Sequence, residues 1–155
     1  MKSVWKYIAG FSLAVVIIFA FFISPYGKTV LLKVNRAKWE RQNISHYRFS
    51  ITTHVGPHIE FPDTIMFIEV KNGYVISQTD ENGQPLLLPE DQSLCCTMEN
   101  LFNSVEENLK TAIKVSVKYD AIYGFPTYIH TIKDVRIAGT ENEISFSLSN
   151  LEILP

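Results

Sequence analysis

An unbroken apolar run near the N-terminus constrains this chain more than any other feature. The run extends from Tyr7 to Ile23, is seventeen residues long, and follows Lys2 and Lys6. As a helix rising 1.5 Å per residue it would be about 25 Å long, close to the bilayer core of about 30 Å. Apolar residues also precede Lys6, so the sequence predicts an N-terminal transmembrane helix that contacts the lipid bilayer through residues 4–23.

A cleaved secretory signal has the same basic and then apolar arrangement. The best cleavage position follows Ala20, but Phe21–Ile23 continue the apolar run beyond it, which favours an uncleaved signal anchor. By charge alone, the basic residues between Lys28 and Arg41 would keep the large domain in the cytoplasm. Long C-terminal domains are translocated largely regardless of charge, however. We therefore expect a single-pass cell-membrane protein with its C-terminal domain on the extracytoplasmic (periplasmic) side.

Charge is distributed unevenly after this run. Residues 24–48 carry six basic residues and one acid, whereas residues 49–155 carry six basic and fifteen acidic residues. A nucleic-acid partner requires a basic folded domain, so we expect no nucleic-acid binding. About 130 residues suffice for one buried core. The predicted organisation is a membrane anchor with a short linker over residues 1–27 and a soluble domain over residues 28–155.

Hydrophobic periodicity predicts the secondary structure of that domain. After a break at Ser24–Gly27, a helix is predicted from Lys28 to Ser45, and a second helix, capped by Thr97, extends to about Lys110. Asn72-Gly73 is typical of a two-residue hairpin turn. Strands are predicted at residues 47–52, 63–70, 74–78, 114–119, 127–133 and 143–148, with a loop at 80–85 and a possible short edge strand at 86–88.

The element order is one helix, three strands, one helix and three strands. Short links between the strands favour antiparallel pairing. We therefore expect an α+β domain in which a mostly antiparallel sheet of about five to six strands is packed by two helices on one face.

The cysteines and two of the histidines are the candidates for redox or metal chemistry. Cys95 and Cys96 are adjacent, so they could close only a strained ring, and they lack C-x-x-C spacing. We interpret them as small residues beneath the start of the second helix, although a helix N-terminus can activate a thiol. His54 and His58 are separated by Gly56-Pro57, which excludes a helix, so a solvated loop is favoured over a metal site. No cofactor is predicted.

Two segments in the second half of the chain carry recognisable motifs, CTMENLF at Cys96–Phe102 and YDAIYGFPTYI at Tyr119–Ile129. They resemble the T-x-x-x-L-F helix start and the Y-D-x-x-Y-G-x-P turn of a bacterial family catalogued only as a domain of unknown function, over roughly residues 37–154. Because members usually carry a lipoprotein signal or one membrane anchor, the resemblance implies an envelope location. It implies no known activity, substrate or cofactor.

The turn motif contains the predicted site. Gly124 allows a positive φ and Pro126 fixes φ near −65°, as a tight turn requires. Tyr119 and Asp120 can brace such a turn through hydrogen bonds. A structural turn is favoured, and a ligand-contacting role is the alternative, for the set Tyr119, Asp120, Tyr123, Gly124 and Pro126.

These observations favour a binding protein over an enzyme. No spacing in the sequence assembles a nucleophile with a base, so we expect a non-catalytic envelope module, binding or structural, whose partner is a protein or peptide. Its edge strands or the tyrosine-rich turn would supply the contact surface. The alternative is a thiol-redox or metal-dependent envelope factor that uses Cys95 and Cys96, or His54 and His58.

Overall fold

The computed structural model describes residues 24–56, 64–86, 96–133 and 142–155. These residues form two helices and six strands in the predicted order. The helices are α1 (Pro25–Glu40) and α2 (Met98–Thr111), and the strands are β1 (His46–Val55), β2 (Thr64–Lys71), β3 (Tyr74–Thr79), β4 (Lys114–Tyr119), β5 (Pro126–Lys133) and β6 (Asn142–Ile153).

The six strands form one antiparallel sheet in the order β3-β2-β1-β6-β5-β4. Each helix is followed by a meander of three strands, and the two meanders join where β1 pairs with β6. This pairing places Ile51 opposite Leu148 on the face that is covered by the helices. β3 and β4 are therefore the two edges of the sheet.

α1 begins and ends earlier than the sequence analysis predicts. The side chain of Ser24 accepts a hydrogen bond from the backbone N–H of Gly27 at 3.1 Å, and Pro25 stands in the first turn. Serine at an N-cap followed by proline is a helix start, because proline has no N–H to leave unpaired there. The predicted break is thus the cap of α1. The helix ends at Glu40, and Asn43 follows with a φ of 51°.

The observed bounds and cap of α2 closely match those predicted from the sequence. The Thr97 hydroxyl accepts a hydrogen bond from the N–H of Asn100 at 3.2 Å, as an N-cap should. Glu99 in the first turn and Lys110 in the last turn suit the helix dipole. The buried stripe of the helix consists of Met98, Leu101, Phe102, Val105 and Asn108.

The first hairpin is also confirmed, whereas β6 is longer than predicted. Asn72 and Gly73 have φ angles of 52° and 80°, the left-handed pair that a tight hairpin turn requires. β6 continues to Ile153 because a bulge at Asn150, with a φ of 55°, shifts the alternation by one residue. The possible short edge strand at 86–88 is not one of β1–β6, and residues 87 and 88 lie outside the described residues.

Three aromatic side chains connect both helices to the sheet. Trp39 of α1 meets Tyr47 of β1 edge to face at 5.3 Å and Phe125 at 6.1 Å between ring centroids. The Tyr47 hydroxyl accepts a hydrogen bond from the N–H of Met98 at 3.0 Å, and burial raises the pKa of this hydroxyl. Met98 is the first residue of α2, so Tyr47 satisfies one of the N–H groups that a helix start leaves unpaired.

The predicted fold class is corrected in one respect. It joined the α+β domain to a transmembrane helix, but no helix within the described ranges is both long and apolar enough to cross a bilayer. α1 has 16 residues and carries five charged side chains, too many for a membrane core. The predicted span at residues 4–23 lies outside the described residues. The structure supports an α+β fold with six antiparallel strands and two helices.

Replacing Tyr47 with phenylalanine tests the junction between β1 and α2. Tyr47→Phe keeps the ring but leaves the buried N–H of Met98 without its acceptor, which costs roughly 1–3 kcal/mol of unfolding free energy. Urea denaturation of the full chain measures this loss. Tyr74→Phe is the control, because Tyr74 is 75 % exposed and its loss should change stability little. Equal stabilities of the two variants would contradict the assignment.

Candidate functional site

The predicted site residues come together as a closed turn between β4 and β5. The Asp120 carboxylate accepts hydrogen bonds from the N–H groups of Ile122 at 2.8 Å and Tyr123 at 2.7 Å. The N–H of Asp120 donates to the carbonyl of Phe125 at 2.8 Å, and the N–H of Gly124 donates to the carbonyl of Asp120 at 3.1 Å. The carboxylate is thus used within the turn itself.

This turn is docked on α1. Gly124 has a φ of 83°, and a Cβ at this position would lie 2.6 Å from the carbonyl oxygen of Asn35. The Lys38 ammonium donates to the carbonyl of Ala121. Phe125 is buried, and its ring packs against Trp39. These contacts give Asp120 and Gly124 a structural role, which is to close the turn and to let it pack on α1. A ligand-contacting role for the motif stays a prediction.

Tyr119 is the last residue of β4, before the turn, and it lines a cleft at the edge of the sheet. Burial raises the pKa of the Tyr119 hydroxyl, so it stays protonated and neutral at physiological pH. The cleft has a volume of about 310 Å³ and lies where α1, the end of α2 and the edge strand β4 meet. Its lining is mostly apolar and aromatic: Lys28, Leu31, Leu109, Val115, Ser116, Val117, Lys118, Tyr119 and Tyr128.

Two lysines flank this edge cleft. The Lys28 ammonium donates a hydrogen bond to the carbonyl of Val115 in β4 at 2.9 Å. The Lys118 ammonium lies over the Tyr128 ring, 5.6 Å from its centroid, at cation–π distance. The site therefore combines an apolar floor, positive charge and the edge of a sheet. Edge strands are predicted from the sequence as a contact surface, but this cleft is not, because it forms only where three elements are in contact.

A second, polar cleft lies on the sheet face opposite the helices. It has a volume of about 350 Å³ and includes Arg48, Phe67, Glu69 and the Asp80 loop. The Glu69 carboxylate accepts hydrogen bonds from His46 Nε2 and from Arg48, each at 2.9 Å. These bonds hold the pKa of Glu69 below its usual range, His46 having the larger effect. The Glu69 carboxylate is therefore already paired within the protein.

Of the four residues proposed for redox or metal chemistry, the structure describes Cys96, which precedes α2, and His54, which lies in β1. Cys96 is 1 % exposed and disulfide-bonded, and Gln78 Nε2 donates to its sulfur at 3.5 Å. Cys95 and His58 lie outside the described residues. His54 pairs with Ser145 across β1 and β6. Within the four described ranges, no group of three His, Cys, Asp or Glu side chains is placed to hold a metal ion.

A histidine–glutamate pair between β5 and β6 is also not predictable from the sequence. His130 Nε2 and Glu143 Oε1 are 2.6 Å apart, and the His130 ring stacks on Tyr128 with centroids 6.3 Å apart. The pairing arises because β5 and β6 are antiparallel with Ile132 opposite Glu143. No spacing along the chain signals such a pair, since its two members belong to different strands.

Comparison with known protein families gives a match that covers most of the chain. The model of a family of unknown function (DUF6174) matches residues 31–153, so it spans both helices from the second turn of α1 and all six strands. The resemblance noted in the sequence is thereby confirmed at the level of the family. No curated protein matches the chain.

Gly124→Ala tests the close approach of the turn to α1. Besides the strain of a positive φ, roughly 1–2 kcal/mol, the new methyl group would meet the Asn35 carbonyl. Gly83→Ala is the matched control, because Gly83 has a φ of 76° and nothing within 4 Å of an added Cβ. We expect Gly124→Ala to lower the unfolding free energy by at least 1 kcal/mol more than Gly83→Ala. Equal losses would mean that the turn is not packed tightly on α1.

The hydrogen bonds to Glu69 predict a pH effect. A depressed carboxyl pKa stabilises the fold above the ordinary pKa of glutamate, and the benefit is lost as the pH falls through the folded value. We expect His46→Ala to raise the pKa of Glu69 toward its usual range, measured by NMR titration of the side-chain carboxyl carbon. His130→Ala, which removes the partner of Glu143, should leave it unchanged. An unaltered Glu69 pKa in His46→Ala would refute the assignment.

Proposed function

We propose that this chain, which belongs to the family of unknown function (DUF6174), is a non-catalytic binding module that holds an extended acidic peptide segment of a partner protein along β4. The observation that carries the proposal is the edge cleft, because it joins a strand edge, an apolar lining and two lysines in one place. Such a combination suits recognition of an extended chain by strand addition.

The edge of β4 is the more open of the two sheet edges. β4 pairs with β5 on one side and with none of the other described strands. The opposite edge is partly covered, because the N–H of Leu86 donates to the carbonyl of Gln78 at 3.0 Å and Pro85 forms a bridge with Thr79. A peptide added to β4 would pair with backbone groups that have no strand neighbour within the described residues, apart from the Val115 carbonyl, which already accepts from Lys28. Such backbone pairing supplies affinity without any particular sequence.

Charge selects the kind of peptide. β4 carries Lys114 and Lys118, and Lys28 reaches the same strand from α1. Residues 49–155 as a whole are strongly acidic. This edge is therefore a local positive region on an acidic domain, and it favours an anionic partner over a basic one. Alternate side chains of an extended peptide point to one face, so apolar residues between the acids would enter the cleft beside Leu31 and Leu109.

The alternative function, a thiol-redox or metal-dependent factor, has less support. The burial of Cys96, which is 1 % exposed, does not favour a reactive thiol there. His54 lies on a strand rather than in a loop that could fold around an ion.

A location at the extracytoplasmic side of the cell membrane is the second part of the proposal. Its support is the basic start followed by apolar residues up to Ile23, together with the outward face of α1. On that face Tyr26, Val30 and Val34 recur every four residues and are exposed. A reporter fused after Pro155 tests the location: alkaline phosphatase should be active and a cytoplasmic fluorescent protein dark. The reverse pattern would contradict it.

Peptide binding is tested with a defined probe, the capped hexapeptide Glu-Val-Glu-Val-Glu-Val, in an NMR titration of the full chain. Amides of Val115–Tyr119 should shift saturably, and the Lys-Val counterpart should bind more weakly. Lys118→Glu should weaken binding about fivefold at low salt, since a nearby exposed charge contributes roughly 1 kcal/mol.

The matched control is Lys71→Glu, an exposed lysine at the end of β2 in the other half of the sheet. It makes the same change in net charge and should leave the affinity unchanged. Equal weakening by both substitutions would reveal a non-specific charge effect, and no saturable shifts in β4 would refute the proposal.

A further inference from the structure

We infer that a small cavity between α2 and the inner face of β5 and β6 is a binding site for a short-chain carboxylate. The cavity has a volume of about 170 Å³. It is distinct from the edge cleft, with which it shares no lining residue. Its lining consists of Ser104, Asn108, Thr131, Lys133, Ile144 and Phe146.

The first observation is an unpartnered hydroxyl. Thr131 is 4 % exposed, and its Oγ1 has no hydrogen-bond partner within the part of the chain that the structure describes. Buried hydroxyls in proteins are nearly always paired, because an unpaired one forfeits its bonds with water. A valine would fill the same space at no such cost. A bound molecule that supplies a hydrogen-bond partner would therefore explain why a threonine, and not a valine, is buried at this position.

A second buried polar group lines the same cavity. Asn108 is 7 % exposed and stands in the otherwise apolar buried stripe of α2. Its Nδ2 is 3.4 Å from Ser104 Oγ, a long hydrogen bond that leaves most of the amide's bonding capacity for another partner. Ser104 and Asn108 are one helical turn apart and face β5 together. Two buried polar side chains, Asn108 of α2 and Thr131 of β5, thus line the same cavity.

The lining specifies the chemistry of the ligand. The hydroxyls and the Asn108 amide can donate hydrogen bonds, and Lys133 contributes a positive charge, so an anionic oxygen suits these groups. Ile144 and Phe146 add hydrocarbon to the lining. A water molecule takes about 30 Å³ of liquid, so the cavity could hold roughly five. Such waters would bond to the polar groups but would also lie against the side chains of Ile144 and Phe146, whereas a carboxylate with a short hydrocarbon tail suits both kinds of lining.

Butyrate is the probe for this site, titrated into the full chain and followed by NMR. Amides of Ser104, Asn108 and Thr131 should shift saturably, whereas butanamide, which has the same shape without the charge, should bind at least tenfold more weakly. Thr131→Val keeps the shape and removes the hydroxyl, so it should weaken butyrate binding at least tenfold. Thr52→Val, on the other face of the sheet, should bind butyrate as the wild type does.

Lys133→Met provides an independent variant, because Lys133 is exposed and its replacement does not endanger folding. It should weaken butyrate binding and bring the affinity close to that for butanamide. Absence of saturable shifts in the wild type would mean that the cavity holds only water, and unchanged affinity in Thr131→Val or Lys133→Met would place the ligand elsewhere. Either result overturns the inference. Neither depends on whether β4 binds a peptide.

Discussion

The hydrogen bond between Tyr47 and the first N–H of α2 is the contact on which the arrangement of this domain depends. Tyr47 belongs to β1, the strand that joins the two meanders through β6. The Tyr47 ring also packs edge to face against Trp39 of α1, so this one side chain contacts both helices at the centre of the sheet. Because a helix start has N–H groups without partners, burying it requires an acceptor of this kind. The hydroxyl therefore specifies how α2 sits as well as stabilising it.

The turn between β4 and β5 attaches the edge of the sheet to α1. Asp120 closes the turn, and Gly124 lets it approach the backbone of α1. As a result β4 is held beside α1 although the two are distant in sequence, and the edge cleft forms between them. The motif, for which the sequence favours a structural turn over a ligand-contacting role, thus contributes Tyr119 to one wall of the neighbouring cleft. The Asp120 carboxylate is engaged in this structural role.

Local signals were enough to predict much of the fold. The cap and stripe of α2, the Asn72-Gly73 hairpin and the order of elements each follow from residues close together in the chain. The start of α1 was missed because Ser24-Pro25 is common both in turns and at helix starts. The transmembrane prediction rests on the apolar run that follows Lys2 and Lys6. That run lies outside the described residues, and the described helices do not include such a span. The His130–Glu143 pair and the Thr131 cavity depend on strand register and helix packing, which no local pattern encodes.

The claim that β4 recognises an extended chain is tested most directly by amide hydrogen exchange of the full protein at saturating Glu-Val hexapeptide. If the peptide adds a strand, every second amide of β4 gains a backbone acceptor, so its exchange should slow at least tenfold while exchange in β3 stays the same. Unchanged exchange throughout β4, or protection confined to the opposite edge, would contradict the account.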